Sequence, residues 1–494
     1  MRKLKTIGCA AAVTGGLICA SIDGANAADT TLAPWQAGHP ATGKIVIEKE
    51  EDGGKVPKKI EGAQFQVTPV TKIDGKPVDV TTQAGLKALA KKVEALNLGN
   101  EQGLEFGQAL TQFTDNRGIA EFPDKPLGLY KVAETMAAPG YSNYIKPFFV
   151  TVPQAITKNG GTEWQYEVRV KPKNTNETSK VRKTQDLSKT VGANDDISYT
   201  ISANVNKKKA ELNRNVNAND LNGFAVFDDA LKKAYQKTDD TTVGEVKIGD
   251  TKLVKGADYT IDASKTIGTD RQRIQVNFTT TGLGKIANAV NGNANHKVTV
   301  KMNFKLSPTV RGEVENKFGF IPGKGTGEPN QNPIQPPSSS NPKVKFAEFK
   351  IKKVKATNAG AGLADARFKV FADQAQATKC ASDPNESNCV GASAFGEKTT
   401  KANGETEAYL AAAGKAIYIV ETVAPNGFLR NTEPQSYTMP EAGGTAVVEN
   451  IAKADSGFWF TLPKTGASGI IVFAILGTAL VGTGAYMHSR KKAA

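Results

Sequence analysis

Short segments in which apolar and polar residues alternate run along most of the chain. Such alternation puts every second side chain on one face of a β-strand. Clusters of glycine, proline, asparagine and aspartate separate the segments and indicate turns. Regular short strands with turn signals predict an all-β fold built from β-sandwiches. Clear examples are GKIVIEKEE, AQFQVTPV, WQYEVRVKPK, DISYTISANV, HKVTVKMNFKL, VKFAEFKIKKVKA and AIYIVETV.

One segment follows a helical period instead. In AGLKALAKKVEALN, the apolar side chains fall on one helical face, and they are Leu86, Leu89, Val93 and Leu96. The lysines of this segment then face water. We therefore expect a packed surface helix that covers a sheet edge, rather than a helix that binds a membrane.

Both ends of the chain carry apolar runs. A basic start, an apolar run from Ile7 to Ile22 and the small-x-small cleavage site Ala25-Asn26-Ala27 are typical of a secretory signal peptide over residues 1–28. Near the other end, the apolar run Ile470–Tyr486 is close to the shortest length that spans a membrane. The basic residues 490–492 follow this run, as they do at the cytoplasmic side of a membrane segment.

Two polar segments divide the exported chain. KPKNTNETSKV closes a strand, and GKGTGEPNQNPIQPPSSSNPK has the composition of an extended linker. A chain of 494 residues also suggests three domains, at about 150 residues each. We predict three tandem β-sandwich domains with a helical insertion in the first. The predicted segments are 1–28, 29–175, 176–322, the linker 323–342, 343–461 and 462–494.

Composition narrows the class of function. The formal net charge is +14, but the charges alternate in sign, and no arginine-rich block with interleaved aromatic residues indicates nucleic-acid binding. The three histidines, His39, His296 and His488, are far apart in the sequence. They offer no catalytic triad, and the chain has no P-loop or HExxH motif. We therefore predict a protein that is not an enzyme and that needs neither a cofactor nor a metal.

Two cysteines remain after removal of the predicted signal peptide. Cys380 and Cys389 lie close together in CASDPNESNC. An exported chain folds in an oxidising compartment, where such a pair forms a disulfide that closes a loop. A metal site is the alternative, but no histidine lies near these cysteines in the sequence.

The C-terminal segment carries a specific motif. Its pentapeptide, followed by the apolar run and the basic tail, resembles the cell-wall sorting signal of Gram-positive surface proteins; the residues are Leu462, Pro463, Lys464, Thr465 and Gly466. The resemblance implies that a sortase cleaves between Thr465 and Gly466, and that the apolar run holds the exported chain in the membrane until then. The alternative is a permanent tail anchor.

A second segment, WQYEVRVKPK, resembles the pilin motif of Gram-positive sortase-assembled pilins. The matching residues are Trp164, Val168, Val170, Pro172 and Lys173. Lys171 stands where the motif usually has a tyrosine. The resemblance implies that Lys173 is the nucleophile that joins one subunit to the Thr465 carbonyl carbon of another. The alternative is an ordinary solvated lysine at the end of a strand.

A third segment, YIVETVAPNGF, resembles the pilin E-box, with Glu421 as its carboxylate. Resemblance to collagen-adhesin-type pilin domains implies an isopeptide bond between Lys353 and Asn450 in the C-terminal domain. Burial raises the pKa of a glutamate and lowers that of a lysine, which would leave a neutral lysine free to attack the asparagine amide and release ammonia. A buried lysine–glutamate salt bridge is the alternative.

The same resemblance implies one such bond in each of the other domains. In the middle domain we assign Lys189 and Asn316, with Asp229 rather than Asp228 of FAVFDDAL as the acid. In the N-terminal domain the weakest assignment joins Lys49 and Asn174, with Glu134 of LYKVAETMAAPGY as the acid. The implied fold is therefore three tandem immunoglobulin-like, collagen-adhesin-type sandwiches followed by a transmembrane sorting helix.

Together these resemblances imply a structural subunit of a cell-surface pilus shaft that supports adhesion. The implied partners are identical subunits, a class C-type pilus sortase, a housekeeping sortase and peptidoglycan, with minor pilins and host-cell receptors as further partners. A minor or basal pilin and a singly wall-anchored adhesin are the alternatives. A wall-anchored enzyme is a third, which the histidine inventory disfavours.

Overall fold

The computed structural model describes residues 32–53, 56–97, 99–142, 145–158, 161–206, 214–325 and 331–453. These residues form two compact units. The first comprises residues 32–187 and 194–345, and the second comprises residues 188–193 and 346–453. The predicted signal peptide, the LPKTG motif and the apolar run 470–486 lie outside the described residues.

The first unit begins with fourteen strands, which include short edge strands. They are β1 (Thr42–Glu48), β2 (Glu50–Glu51), β3 (Gln64–Ile73), β4 (Lys76–Pro77), β5 (Leu104–Phe106), β6 (Leu110–Phe113), β7 (Ile119–Pro126), β8 (Gly128–Met136), β9 (Tyr141–Ser142), β10 (Phe148–Val152), β11 (Gln154–Lys158), β12 (Gly161–Gln165), β13 (Glu167–Val170) and β14 (Lys173–Asn176).

These strands build an N-terminal sandwich. One sheet has the order β13-β1-β7, and the other has the order β10-β8-β3-β4, with β5 and β6 also pairing with β3. The inward residues of both sheets form one buried core, which includes Ile45, Ile47, Phe65, Val67 and Val168. A third small sheet, β2-β14-β9, places β14 parallel to β2.

The predicted surface helix is present as α1 (Gln83–Asn97). Leu89 and Leu96 are buried against Val70 of β3 and its neighbours, and Leu86 packs partly against the same cluster. The side chain of Val93 lies outside the described ones. The apolar face therefore covers the sheet as its spacing predicted.

The remaining strands of the first unit build a middle sandwich, apart from Gly312–Glu315, which belongs to neither of its sheets. They are β15 (Val181–Asp186), β16 (Asp196–Asn204), β17 (Ala225–Leu231), β18 (Val243–Ile248), β19 (Thr251–Lys252), β20 (Tyr259–Asp262), β21 (Thr266–Ile267), β22 (Arg271–Phe278), β23 (Lys297–Lys305), β24 (Gly312–Glu315) and β25 (Lys317–Ile321). One sheet has the order β15-β16-β23-β18-β19, and the other β20-β22-β17-β25, with β21 on β22.

A second helix that the strand patterns did not predict covers this sandwich. It is α2 (Thr280–Gly292), and Thr279 caps its first turn by accepting a hydrogen bond from the Gly282 N–H. Its buried face includes Leu283, Ile286 and Val290. These positions have the spacing of an amphipathic helix, which the sequence could have revealed.

The segment predicted as an extended linker packs on the middle sandwich where it is described. The Ile334 side chain is fully buried. The Ile334 N–H donates to the Phe320 carbonyl at 2.8 Å, and the Phe320 N–H donates back to the Ile334 carbonyl at 3.0 Å. A short 3₁₀ turn, Ser338–Ser340, follows. Residues 331–342 thus lie along the outer edge of β25.

The second unit is a C-terminal sandwich. Its elements are β26 (Lys343–Lys355), which begins in the first unit, β27 (Asn358–Gly362), β28 (Arg367–Phe371), α3 (Gln374–Ser382), β29 (Lys398–Thr399), β30 (Tyr409–Ala412), β31 (Ala416–Val423), β32 (Gln435–Thr438) and β33 (Gly444–Asn450). One sheet has β27, β30 and β33 on β26, and the other has the order β29-β28-β31-β32. Phe349, Ile351, Phe368, Ile419 and Val448 fill the space between them.

A short segment from earlier in the chain completes this second unit. Residues 188–193 belong to it, and Val191 is part of its core. The Ala193 N–H donates to the Leu410 carbonyl at 2.9 Å, and the Ala412 N–H donates to the Val191 carbonyl at 2.8 Å. This segment, which contains Lys189, is therefore part of the second unit and not of the middle sandwich.

Candidate functional site

The C-terminal sandwich buries the three residues that the E-box resemblance grouped together. Lys353 lies on β26, Glu421 on β31 and Asn450 at the end of β33, so the lysine and the asparagine are on adjacent parallel strands. The Lys353 and Glu421 side chains are 0% and 1% exposed, and Lys353 Nζ lies 3.0 Å from Glu421 Oε1. Lys353 Nζ also donates to Asn450 Oδ1.

The carboxylate of Glu421 bridges this cluster. Asn450 Nδ2 donates to Glu421 Oε1 at 2.9 Å, and the Asn431 backbone N–H donates to Glu421 Oε2 at 2.8 Å. One acid therefore touches both the amine and the amide. That arrangement allows proton transfer from the lysine and polarisation of the asparagine side chain by the same group.

Strand alternation explains which lysine of β26 turns inward. Phe349, Ile351 and Lys353 occupy alternate positions and are buried, whereas Lys350 is exposed and Lys352 is half-buried. The inward lysine lies among apolar side chains, with Nζ 5.7 Å from the centre of the Phe368 ring. Burial lowers the pKa of Lys353, against the opposing attraction of Glu421.

The N-terminal sandwich contains a second cluster of the same design. Lys49 lies between β1 and β2, Glu134 lies on β8 and Asn174 on β14. Lys49 Nζ donates to Glu134 Oε2 at 2.7 Å, and Asn174 Nδ2 donates to Glu134 Oε1 at 2.8 Å. The Lys49 and Glu134 side chains are both 0% exposed. The structure thus brings all three residues of the weakest assignment together.

Burial changes the acid–base properties of this N-terminal pair. It lowers the pKa of Lys49 to about 8, although the charge of Glu134 opposes the change. It raises the pKa of Glu134, again with the partner's charge opposing. The Phe65 ring lies 5.3 Å from Lys49 Nζ. Both shifts favour the neutral amine and the neutral acid that attack on an amide requires.

In the middle sandwich the structure corrects two of the three assigned residues. Lys189 is exposed and lies in the segment 188–193, which packs with the second unit, so it is not in the core near Asn316. The buried lysine is Lys183 on β15. Lys183 Nζ donates to Asp228 Oδ2 at 2.5 Å, and both side chains are 0% exposed.

The second correction concerns the acid. Adjacent residues of a strand point to opposite faces, and on β17 Asp228 faces Lys183, whereas Asp229 faces away from it. Asp229 is paired with Arg273, which donates to its two oxygens at 2.8 and 2.9 Å. The Gln335 side chain also donates to Asp229 Oδ2 at 2.8 Å. Asp229 therefore has a structural ion pair, and Asp228 is the acid of the middle cluster.

Asn316 is fully buried beside this pair. It immediately precedes β25, whose Phe318 is paired with Asp228 across the sheet and whose ring lies 5.7 Å from Lys183 Nζ. Neither amide atom of Asn316 has a hydrogen-bond partner among the described residues, and neither does Asp228 Oδ1. Buried polar atoms without a partner are unusual in a folded protein, and here they belong to the asparagine and the acid that adjoin the buried lysine.

The electrostatics of the middle cluster follow the same pattern. Burial lowers the pKa of Lys183 and raises the pKa of Asp228, in each case against the attraction of the partner. The Tyr199 ring lies 4.7 Å from Lys183 Nζ. Burial also raises the pKa of Tyr199, so this phenol stays protonated at neutral pH. Three separate sandwiches thus each bury a lysine, an acid and an asparagine.

The WQYEVRVKPK segment contributes to three strands rather than one, and its last residue, Lys173, begins β14. β12 ends at Gln165 and pairs with β11, whereas β13 begins at Glu167 and pairs in parallel with β1. Val168 and Val170 are buried, as the alternation predicted. Trp164 is only partly buried and meets the edge of the Trp35 ring, with 5.3 Å between ring centres.

The predicted nucleophile and the predicted crosslinking asparagine are neighbours on β14. Lys173 is exposed and Asn174 is 2% exposed, since successive strand residues face opposite sides. Pro172 before them is buried. Lys171 is partly buried, 3.8 Å from Glu48. The exposed amine is therefore Lys173, and a bond at Asn174 would leave it on the surface.

The cysteine pair is joined. Cys380 of α3 and Cys389 form a disulfide with 4.5 Å between their Cα atoms. Both are buried with Phe371 and Val420. Within the described residues, no group of three or more His, Cys, Asp or Glu side chains is arranged to hold a metal ion. Likewise, no helix in that part of the chain is long and apolar enough to cross a membrane.

Three family models match separate parts of the chain. They are the Gram-positive pilin subunit D1 N-terminal domain over residues 27–175, the prealbumin-like fold domain over residues 347–453 and the LPXTG cell wall anchor motif over residues 460–493. The first contains the Lys49 cluster and Lys173, the second contains the Lys353 cluster, and the third contains Thr465. The middle sandwich lies between the matched ranges.

Whole-chain relatives agree with these models. Fimbrial subunit type 1 of Actinomyces viscosus is 28% identical over 498 residues, covering 90% of this chain and 88% of the relative. Fimbrial subunit type 2 of Actinomyces naeslundii is 28% identical over 404 residues, covering 74% and 70%. The solved major pilin SpaD from Corynebacterium diphtheriae shares the fold, with a TM-score of 0.55, 21% identity and coverage of 83% of this chain and 98% of that one.

Proposed function

We propose that this chain, which is a Gram-positive fimbrial subunit with a cell-wall anchor motif, forms the covalently linked shaft of a surface pilus. The observation that carries the proposal is the exposed Lys173 in a pilin D1 domain whose chain also ends in an LPXTG anchor motif. Such a subunit has one acceptor amine and one donor threonine. Repeated joining of the two would give a linear polymer.

The joining step is a transpeptidation. A pilus sortase breaks the Thr465–Gly466 peptide bond and holds the threonine carbonyl carbon as an acyl-enzyme. The neutral Nζ of Lys173 in the next subunit attacks that carbon and releases the sortase. Joining to peptidoglycan instead of to a lysine would end the polymer and anchor it to the wall, which is the step we assign to a housekeeping sortase.

Replacement of the acceptor lysine tests the polymer. We expect Lys173→Ala in the native host to give folded, exported monomer and no high-molecular-mass ladder on a denaturing gel. Lys171→Ala is the matched control, because that lysine lies two residues away, beside Glu48. A ladder that survives in the Lys173 variant and disappears in the Lys171 variant would show that the wrong lysine was assigned.

Within each sandwich we propose an isopeptide bond between the clustered lysine and asparagine. The pairs are Lys49–Asn174, Lys183–Asn316 and Lys353–Asn450, with Glu134, Asp228 and Glu421 as the acids. A proton passes from the ammonium group to the carboxylate, which leaves both partners neutral. Lysine Nζ then bonds to asparagine Cγ, the bond from Cγ to Nδ2 breaks, and the leaving Nδ2 departs as ammonia with a proton from the lysine.

Each of these bonds would clamp its own sandwich. The pairs tie an opening strand to a closing strand, which are the strands that a pull along the fibre would separate first. The C-terminal bond would close a loop between residues 97 positions apart. Limiting the unfolded chain in this way stabilises by about 4–5 kcal/mol in the loop-entropy model.

The acid of the C-terminal cluster provides a direct test. Glu421→Ala removes the group that touches both Lys353 and Asn450, so we expect the intact mass of that variant to exceed the crosslinked mass by one ammonia, after allowance for the substitution. Its unfolding temperature should also fall. Glu407→Ala, at a side chain that is 70% exposed, is the control. An unchanged bond in the Glu421 variant would exclude that carboxylate as the proton-transfer group.

The N-terminal bond and polymerisation are compatible in this geometry. Lys173 faces solvent while Asn174 faces Glu134 in the core. We therefore expect the Lys49–Asn174 bond both in assembled fibres and in the unassembled Lys173→Ala monomer. Peptide mapping of the two materials decides this. A bond found in fibres alone would mean that assembly is needed to form it.

A minor or basal pilin remains the second candidate. It would use the same anchor motif but would appear at few positions along the fibre. Immunogold labelling with antibody against this chain separates the two. Dense, regular labelling along the fibre supports the shaft, and labelling only at the tip or base supports the alternative.

A further inference from the structure

The middle cluster lies at an open side of its sandwich. In the strand orders of the two sheets, β15 is the outermost strand of one and β25 the outermost strand of the other. Lys183 is on β15, and Asn316 immediately precedes β25. The bond that joins them would therefore link two edge strands, at the place where water has its shortest route to the reacting groups.

Residues 331–342, which we call the strap, cover this side. Ile334 pairs through both backbone groups with Phe320 of β25, and its side chain is fully buried. A Cβ added to Gly319 would lie 2.2 Å from the Ile334 carbonyl oxygen. A glycine at that position is thus required for the strap to approach the strand so closely.

The strap is also fastened beside the acid of the cluster. Gln335 donates a 2.8 Å hydrogen bond to Asp229, the residue that follows Asp228 on β17. Further along, Asn341 Nδ2 donates to Glu315 Oε1 at 2.9 Å, and Glu315 is the residue before Asn316. The strap therefore holds the residue beside each of two reaction partners.

The end of the strap connects the two edges. The Asn316 backbone N–H donates to the Pro342 carbonyl at 3.0 Å. The next carbonyl, that of Lys343, accepts from the Gln185 side chain at 3.3 Å, and Gln185 lies on β15 two residues after Lys183. A cleft of about 100 Å³ lies between the strap and β25 and is lined in part by Phe318, whose ring centre is 5.7 Å from Lys183 Nζ.

We propose that the strap closes the middle cluster and positions Asn316, so that the Lys183–Asn316 bond forms quickly only after the strap has docked. This inference rests on the proposed isopeptide chemistry. It makes Ile334, Gln335 and Asn341 positioning residues, which act through Phe320, Asp229 and Glu315 and do not touch the reacting atoms.

Closure matters because the reaction needs a neutral amine. Water at the open side would solvate the ammonium form of Lys183 and oppose proton transfer to Asp228. It would also let Asn316 Cγ move away from Nζ, and misplacement of reacting atoms by about 1 Å can slow a reaction roughly a hundredfold. Asp228 is the titratable group in contact with Lys183, and the Tyr199 ring faces its Nζ at 4.7 Å. The charges of Asp229 and Arg271 act on Lys183 without contacting it.

The rate of bond formation in the full-length chain tests the strap. Newly synthesised protein is sampled over time and mapped by mass spectrometry, with the Lys353–Asn450 bond in the same molecule as the internal reference. We expect Gln335→Ala and Ile334→Ala each to slow the middle bond by roughly tenfold or more relative to that reference. Ser339→Ala, at an exposed strap residue, is the matched control and should change nothing.

A pH series separates positioning from a general loss of stability. If the loosened strap admits water, raising the pH from 7 to 9 should restore part of the middle-bond rate in the Ile334 variant, because it increases the fraction of neutral amine. Full recovery is not expected, since Asp228 is then ionised and cannot give a proton to the amide. A merely less stable sandwich would not recover. Middle bonds that form at the wild-type rate in both variants would overturn the strap's role. A wild-type chain that lacks the middle bond would instead overturn the proposed chemistry there.

Discussion

The middle and C-terminal clusters both consist of a lysine, an acid and an asparagine, but they differ in which of its partners the acid contacts. In the C-terminal sandwich the Glu421 carboxylate contacts both Lys353 Nζ and Asn450 Nδ2, at 3.0 and 2.9 Å. In the middle sandwich the shorter Asp228 contacts Lys183, and its second oxygen has no partner among the described residues. A glutamate side chain is one methylene longer, which lets a single acid reach both partners.

The two sites also differ in what holds the asparagine in place. The C-terminal asparagine is aligned by β33 running parallel to β26, with Asn450 in register with Lys355. The middle asparagine is held through its backbone by Pro342, in a segment outside the two sheets. A short acid therefore goes together with an external positioning element, and a long acid does without one.

The largest effect should come from removing the middle lysine. Lys183→Ala removes the nucleophile, so the middle bond is lost and the sandwich loses about 5 kcal/mol of stability in the loop-entropy model. Lys189→Ala should keep the bond, because Lys189 is exposed in a segment that packs with the second unit. Peptide mapping and thermal unfolding of the two variants provide the measurement.

The lysine variant leaves Asp228 buried without its cation, so a second variant is needed. Asn316→Ala retains the Lys183–Asp228 pair and removes only the amide. It should lose the same bond while retaining more of the fold. If Lys189→Ala abolished the bond and Lys183→Ala did not, the middle cluster described above would not be the reactive one.

The N-terminal cluster should make the stability of its sandwich depend on pH when the bond cannot form. Asn174→Ala prevents the bond and leaves Lys49 beside Glu134. The folded-state pKa of Lys49 is about 8, below its usual 10.5, so between these pH values the unfolded chain binds more protons than the folded one. Stability should therefore rise with pH across that window, by ~2 kcal/mol.

A variant without the amine separates the contribution of Lys49 to this pH dependence from that of other groups. The triple variant Asn174→Ala, Lys49→Met, Glu134→Gln lacks the titrating amine and leaves no buried carboxylate without its cation. Denaturant unfolding at pH 8 and pH 10 gives the difference between it and the single variant. A rise of equal size in the triple variant would assign the effect to other groups. A fall in stability specific to the single variant would mean that Lys49 is better protonated in the fold than in the unfolded chain.

Shortening the C-terminal acid should make that site behave like the middle one. Glu421→Asp keeps the charge but withdraws the carboxylate from Asn450, and no strap is present to compensate among the contacts of Lys353. We expect the Lys353–Asn450 bond to form roughly tenfold more slowly, with the middle bond as the internal reference. An unchanged rate would mean that contact of the acid with the amide is unnecessary.

The sequence predicted the sandwiches, the surface helix and the C-terminal cluster because these follow from local pattern. Resemblance assigned Lys353, whose neighbours Lys352 and Lys355 made that choice less specific than the E-box motif that gave Glu421. In the structure, Lys353 is buried, whereas Lys352 and Lys355 are half-buried. The middle cluster required information that local pattern does not hold. Every residue of β17 is buried, so burial could not distinguish Asp228 from Asp229. Two distant partners decide between them, Lys183 for Asp228 and Arg273 for Asp229, at 45 and 44 positions along the chain.

The wrong lysine has a similar cause. LSKTVG has the hydrophobic flanks of an opening strand, and its Val191 is indeed buried, but in the core of the second unit. The alternation of Val181 and Lys183 at the start of β15 was an available signal for the correct residue. The packing of the strap could not be predicted from its sequence either, because its proline and serine content is that of a linker. Only the apolar Ile334 indicates that the segment packs.

The smallest effect should come from the lysine beside the C-terminal nucleophile. Lys352 precedes Lys353 on β26 and is half-buried on the opposite face of the strand, so it cannot reach Asn450 without reversing the register. Lys352→Ala should therefore leave the bond intact and change stability by no more than about 0.5 kcal/mol. Lys353→Ala is its counterpart and should abolish the bond. Intact mass and thermal unfolding of both variants test the assignment, and loss of the bond in the Lys352 variant would show that strand alternation selects the wrong lysine at this site.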